Sequence, residues 1–294
     1  MEPQVIKDAL KEDIGSSDIT SRLLIPKGKK IKAVLLLKEK GVVAGLPVAR
    51  EVFKTAKNAL VFKARCADGF RQHAGKILAT VEGDCRAILK AERTALNLLS
   101  HLCGIATLTR AYVEKVKPYK VKILDTRKTI PGLRQLQKYA VRIGGGYNHR
   151  MGLYDGILIK DNHIAASCVP PLKRWRAGVR RASCVRELIE IAKGKKPENM
   201  KIEIEVKDLR EFKEALDAEP DIIMLDNMKI DDIKKAVAIR RNTQYALRTT
   251  LLEVSGGVTL DNVRDIAKTG VDSISIGSLT HSVKAIDISL EVVH

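Results

Sequence analysis

Between Asp125 and His163, five side chains that can carry positive charge, Arg127, Lys128, His149, Arg150 and Lys160, lie near the ends of two apolar runs or in the loop between them. A guanidinium fork bonds both oxygens of a planar carboxylate, and lysine and histidine add point donors beside it. The cluster therefore suits a small substrate bearing more than one negative charge. Glu205 and Asp226 stand out as acids in this basic company. Ribose hydroxyls, or a magnesium ion shared with phosphates, would account for them; neutralising adjacent cations is the plainer alternative. Lys160 has a second chemistry open to it, as the amine of a Schiff base. Ser255-Gly256-Gly257 and Gly277-Ser278 offer backbone N–H groups with little side chain in the way, each ahead of an expected helix, and form a candidate phosphate cradle. A Walker A loop is absent, and GGGYNHR fails the dinucleotide fingerprint because it follows a helical stretch and lacks the third glycine.

These residues need elements that bring them together. From about residue 121 short apolar strands alternate with amphipathic helices, the signature of parallel βα units. The strands are VKILD, GILIK, KIEIEV, DIIML, LLEVS and SISIG, and polar or glycine-rich residues lie at or just beyond the end of each. In parallel α/β architectures the carboxyl ends of the strands converge on one rim, so groups far apart in sequence share one site. Six strands are two short of a closed eightfold barrel, which predicts an incomplete, six- to seven-stranded α/β barrel, with a doubly wound open sheet as the alternative. Leu133, Leu136, Ala140 and Ile143 share a helical face closed by Gly144, and further helices are expected over Asp208–Asp217, Asp231–Arg241 and Leu260–Lys268.

The first hundred residues read as α+β: a short helix at Val5–Leu10, strand-like IKAVLLL, ALVFKA and KILATVEG, and a helix at Val48–Lys57. A longer helix with Ala95, Leu98, Leu99, Leu102, Ile105 and Ala106 on one face leads into the second part, with Gly104 as a candidate break.

Composition bounds the function. The chain has 294 residues, 45% hydrophobic and 30% charged, enough for a substantial core. No apolar run approaches the roughly 20 residues of a membrane span. The opening MEPQVIKDALKED is not a signal peptide, so a cytoplasmic protein is expected. A net charge of +18 demands an anionic partner. Nucleic acid is disfavoured because aromatics are only 4%, Trp175 is the sole tryptophan, and no zinc-finger or RNP-like motif occurs. The six basic residues from Lys173 to Arg186 read as a solvated face. Five cysteines without a CxxC pair fit reduced thiols.

EDIGSSDIT, AERTALNLLSHLCGIAT, DTRKTIPGLR, QKYAVRIGGGYNHRMGLYDGILIKDNH, IEIEV, MLDNM, EVSGG and GVDSISIGSLTHS, in that order through nearly the whole chain, resemble the quinolinate phosphoribosyltransferases, the carboxylating nicotinate-nucleotide pyrophosphorylases. The resemblance implies an N-terminal α+β sandwich over residues 1–105, joined by the C-terminal segment 282–294, and an incomplete barrel over 106–281. It implies transfer of phosphoribosyl from phosphoribosyl pyrophosphate to quinolinate with decarboxylation, accompanied by magnesium, in a homodimer or hexamer whose active site is shared between subunits. Arg127, His149, Arg150 and Lys160 match the family's quinolinate-binding residues, and Arg93 the arginine supplied by a neighbouring subunit. Lys128 matches the lysine beside the pyrophosphate, and Glu205 and Asp226 the acids near the ribose and magnesium, met through the magnesium-pyrophosphate or a water. Ser255, Gly256, Gly257, Gly277 and His281 match the phosphate-binding rim. Lys128, Lys160, Glu205 and Asp226 are thereby implicated in catalysis. The stretch from Ile164 to Met200 is longer and more basic than the family's usual link.

Overall fold

The computed structural model describes residues 3–167, 181–242 and 249–293. In chain order its first elements are α1 (Pro3–Ile14), α2 (Ile19–Leu24), β1 (Lys30–Leu37), β2 (Gly41–Val42), α3 (Leu46–Ala56), β3 (Val61–Ala64), β4 (Arg71–Gln72), β5 (Ile77–Asp84) and α4 (Cys85–Val116). There follow β6 (Lys122–Leu124), α5 (Arg134–Ile143), β7 (Ile157–Ile159), α6 (Asp161–Ser167), α7 (Arg181–Lys195), β8 (Ile202–Val206), α8 (Leu209–Asp217), β9 (Ile222–Asp226) and α9 (Ile230–Arg241). The chain ends with β10 (Leu251–Ser255), α10 (Val263–Lys268), β11 (Ser273–Ser275), α11 (Ser278–His281) and β12 (Ile288–Val293). Two compact units result: residues 1–111, 128–146 and 278–294 in one, 112–127 and 147–277 in the other. Residues 128–146 thus fall with the amino-terminal part rather than with the barrel strands that flank them in sequence.

The first unit is built on an antiparallel sheet in the order β12-β1-β5-β3. β1 is its spine, pairing from Lys32↔Val293 to Leu37↔Ile288 on one side and with β5 on the other. Ala33, Leu35 and Leu37 are at most 1% exposed, so the apolar run of the sequence lies in the core. α4 continues unbroken through Gly104. The glycine is there for space rather than as a break: a Cβ would overlap the carbonyl oxygen of Lys284. Gly144 closes α5 as expected, its N–H bonded to the carbonyl of Ala140 at 2.9 Å.

In the second unit the six expected strands form a parallel sheet in the order β6-β11-β10-β9-β8-β7, and Tyr147 adds an isolated parallel bridge to Leu124. Parallel strands need both faces covered, and the alternation of β8 shows how. Ile202, Ile204 and Val206 are buried on one face, while Glu203 and Glu205 share the other. Strand register then arranges the Glu-bearing face in rows. Leu158, Glu203, Ile222 and Leu251 form one; Glu205, Met224, Glu253, Ser273 and Lys122 the next; Asp226, Ser255, Ser275 and Leu124 the one nearest the carboxyl ends.

The helices follow the expected order. α8 starts where Asp208 accepts hydrogen bonds from the N–H groups of Arg210 and Glu211 at 2.9 and 2.8 Å. α10 is shorter than expected, because Asn262 ties the preceding residues into a turn. Its carboxamide accepts from Thr259 N at 2.8 Å and donates to Gly257 O at 2.9 Å. Cys66, Cys85 and Cys103 are free, but Cys184 is disulfide-bonded, against the expectation of five reduced thiols. Cys168, Trp175 and the basic residues Lys173–Arg180 lie outside the described residues. Arg186, at the end of that run, faces Asp217 at 3.5 Å. Among the described residues no helix is long and apolar enough to cross a membrane.

Candidate active site

The loop that carries His149 and Arg150 is pinned from the end of β6. Asp125, fully buried, accepts from Asn148 Nδ2 at 2.5 Å and from the His149 N–H at 2.9 Å, and its own N–H donates to Tyr147 O. Burying a carboxylate is costly unless donors surround it, and Asp125 has them. The His149 ring is then gripped from the strands. Nε2 lies 2.9 Å from a carboxylate oxygen of Glu203 and 3.6 Å from one of Glu253. These three donor atoms all fall within 4.8 Å of one another, close enough for a single cation. Burial and then Glu203 push the Glu253 carboxyl up to about 7, while His149 and the hydroxyls of Ser275 and Ser273 act the other way. Arg150 donates to Gly156 O at 2.8 Å. Its pKa is drawn below the ordinary arginine value by burial and by the Arg127 guanidinium, with Glu203 and Glu205 opposing. Arg127, His149 and Arg150 therefore share one neighbourhood, as the sequence suggests.

Lys160, just past β7, forms an ion pair with Glu205. Its backbone N–H donates to His163 Nδ1 at 2.9 Å, which fixes the turn into α6. An ion-paired ammonium is a charge for holding an anion, and this favours the cationic role over the Schiff base. Asp226 ends β9, in register with Ser255 at the end of β10. Asn227, next to it in the left-handed region at φ 54°, donates from its amide to Asp226 at 3.0 Å and from its backbone to Ser255 O at 2.9 Å. Gly256 and Gly257 also have positive φ, at 87° and 61°. The Ser255–Gly257 segment is thus a loop six or more residues ahead of α10, whereas Gly277 directly precedes α11.

Three expected residues lie in the first unit. Lys128 is exposed, and its carbonyl accepts from Thr280 Oγ1 at 2.7 Å, which ties it to the segment bearing His281. Gln137, wholly buried, supports both. It accepts from Ile130 N at 2.9 Å and donates to Thr280 O at 3.1 Å. Arg93 is an exposed residue of α4, 4.0 Å from Glu92. Gly277 ends the second unit. Asp125, Gln137, Glu203 and Glu253 were not singled out from the sequence as site residues. The signal for the two glutamates was present in IEIEV and LLEVS, where each stands two residues before an expected rim residue and so on the same face.

A cavity of about 740 Å³ reaches the same cluster from the amino ends of the strands; Lys122, Ile157, Ile222 and Leu251 line it, together with His149, Glu203 and Glu253. The acids beneath His149 are therefore on the side away from the expected rim.

Comparison with known proteins bears on this arrangement. Residues 18–103 match the N-terminal domain of quinolinate phosphoribosyl transferase, and residues 105–291 its C-terminal domain. A probable nicotinate-nucleotide pyrophosphorylase [carboxylating] from Methanocaldococcus jannaschii is 44% identical over 99% of this chain and 96% of its own length. The nicotinate-nucleotide pyrophosphorylase [carboxylating] of Mycobacterium leprae is 43% identical over 98% and 95%. Among solved structures, nicotinate-nucleotide pyrophosphorylase from Ehrlichia chaffeensis superposes with a TM-score of 0.87 at 39% identity, covering 100% of this chain and 99% of that one. With both domains matched in order and the likeness running from end to end, the chain belongs to the quinolinate phosphoribosyltransferase family.

Proposed function

We propose that the protein transfers the phosphoribosyl group of phosphoribosyl pyrophosphate to the ring nitrogen of quinolinate and releases nicotinate mononucleotide, pyrophosphate and carbon dioxide, a step of NAD biosynthesis. The observation that carries this reading is the gathering of Arg127, His149 and Arg150 in one neighbourhood with the Lys160–Glu205 pair on an adjoining strand end. Such a set holds two carboxylates in fixed orientation and penalises a ligand with one, because the unmatched cations are left without a partner.

Pyrophosphate leaves C1 of the ribose as oxocarbenium character develops there, and the quinolinate nitrogen takes its place. No protein nucleophile is needed. Lys128 neutralises the leaving group, and the loop amides at Ser255, Gly256, Gly257 and Gly277, with His281, hold phosphate. Glu205, already engaged by Lys160, is assigned to the ribose hydroxyls. Asp226, partly exposed at the end of β9, offers the hard oxygen donors that suit magnesium through water. Bound magnesium supplies further positive charge to the pyrophosphate. Once alkylated, the ring nitrogen is positive, so the electron pair left at C2 by departing carbon dioxide is stabilised until a proton replaces it. The chain's part in that step is to orient the carboxylates. Arg93 acts from a second copy of the chain, in a dimer or hexamer, and the enzyme works in the cytoplasm.

Incubation with quinolinate, phosphoribosyl pyrophosphate and magnesium is expected to yield nicotinate mononucleotide and carbon dioxide, and a parallel reaction with nicotinate to yield none. Absence of product from quinolinate would overturn the proposal.

A further inference from the structure

We infer that Glu203 and Glu253 are positioning residues of the dicarboxylate site, which hold the His149 imidazole by Nε2 from inside the barrel and so orient it toward the substrate. The inference rests on the quinolinate reading above, and three observations support it. The first is geometric. His149 is fixed at both ends, its backbone N–H by Asp125 at 2.9 Å and its Nε2 by Glu203 at 2.9 Å and Glu253 at 3.6 Å. Nε2 therefore faces the two acids at ion-pair distance without a hydrogen bond to either, so their hold on the ring is electrostatic.

The second is energetic. Glu253 is 1% exposed and Glu203 5%, in a family of strands whose other buried positions are apolar or hydroxylated. Two carboxyl groups in a covered sheet interior destabilise the fold relative to apolar residues of similar size. Ser273 Oγ donates to Glu253 at 3.2 Å, which offsets part of this. Glu253 also has an oxygen that receives no hydrogen bond.

The third is direction. The acids line a cavity bounded by the first residues of the strands, not by the strand ends that carry Lys160, Asp226 and Ser255. Their effect on substrate must then pass through His149. A cation held among the three side chains is the competing use of the same geometry.

The test uses Glu253→Gln and Glu203→Gln, which keep shape and remove charge. Each variant is expected to raise KM for quinolinate by roughly 10–100-fold, the usual cost of losing the group behind a functional histidine, while KM for phosphoribosyl pyrophosphate changes less than about twofold. The melting temperature should hold or rise. Nitrogen NMR of the His149 ring, free of any turnover, should show the Nε2 proton signal of the parent altered in both variants. An unchanged quinolinate KM overturns the inference. So does an equal rise in both KM values with a fall in melting temperature, which marks a structural role. Saturable zinc or manganese binding that is lost in the variants overturns it in favour of a metal site. If the parent itself fails to turn over quinolinate, the functional reading falls, and the NMR signal still decides whether the two acids hold the ring.

Discussion

Gly256→Ala separates the cost of a strained loop from the cost of a damaged site. An L residue at φ 87° sits in the left-handed region, at about 1–2 kcal/mol. The new Cβ also overlaps Oδ1 and Cγ of Asn227 and lies 2.8 Å from its Nδ2, so that side chain must turn away. Turning it away breaks the 3.0 Å bond to Asp226, worth about 1 kcal/mol. The sum, about 2–3 kcal/mol, corresponds to a fall in melting temperature of roughly 5–10 °C for a chain of this size. Gly257→Ala is the calibration: φ is 61° and nothing lies within 4 Å of its Cβ, so the backbone contribution stands alone and about half that fall is expected. In steady-state assays Gly256→Ala should raise KM for phosphoribosyl pyrophosphate at least about tenfold, or 1.4 kcal/mol, because Asp226 and the Ser255 amide edge move together. A variant that melts as low as expected yet keeps the parent's KM and kcat would refute the phosphate cradle and leave the loop a plain turn.

Lys160→Met removes the cation paired with Glu205 and should lower kcat/KM for quinolinate by about a hundredfold, the order expected for a lost charge-assisted contact. Borohydride with a carbonyl substrate should leave the parent unlabelled, and labelling at Lys160 would restore the Schiff-base reading. Mixing inactive Arg93→Ala and Lys160→Ala proteins under conditions of subunit exchange should recover part of the activity; no recovery would count against an arginine supplied in trans. Glu253 makes stability depend on pH. Its carboxyl binds a proton up to about 7 when folded but only up to the ordinary glutamate value of 4.5 when unfolded, so the folded state carries the extra proton between these values. Stability therefore falls as pH rises through that window, by about 3 kcal/mol in all, and denaturant titrations of Glu253→Gln should lack this slope. An identical slope in parent and variant would show that Glu253 ionises normally.

The strand ends were legible because each of the six apolar runs stops at a residue with chemistry to offer, and a parallel sheet has one carboxyl rim. Register could not be read that way. That Asp226 and Ser255 sit side by side, while Glu205 is level with Glu253, depends on how neighbouring strands slide, and strand composition does not record it. Gly104 misled for a related reason. Its role is to let the chain near Lys284 pass close by, a contact 180 residues away in sequence that no local propensity reports. Arg93 was ordinary on composition and is an exposed helix residue in the structure, so only the resemblance draws notice to it.

Glu203 and Glu253 show where sequence reading runs out and why. Alternation in IEIEV assigns Glu203, with Glu205, to one face of β8, and in an antiparallel sheet that face would be the solvated one. The same alternation therefore supports an ordinary reading, polar residues out and apolar residues in. The sheet is parallel, however, and its other face is as covered as the first: Glu203 is 5% exposed and Glu253 1%. An acid in such a place costs stability that an isoleucine would not, and a fold gains nothing from the exchange. What it gains here is a fixed orientation for His149, which could not be held by apolar neighbours at all. The departure from the expected solvated face and the hold proposed for His149 are then one fact.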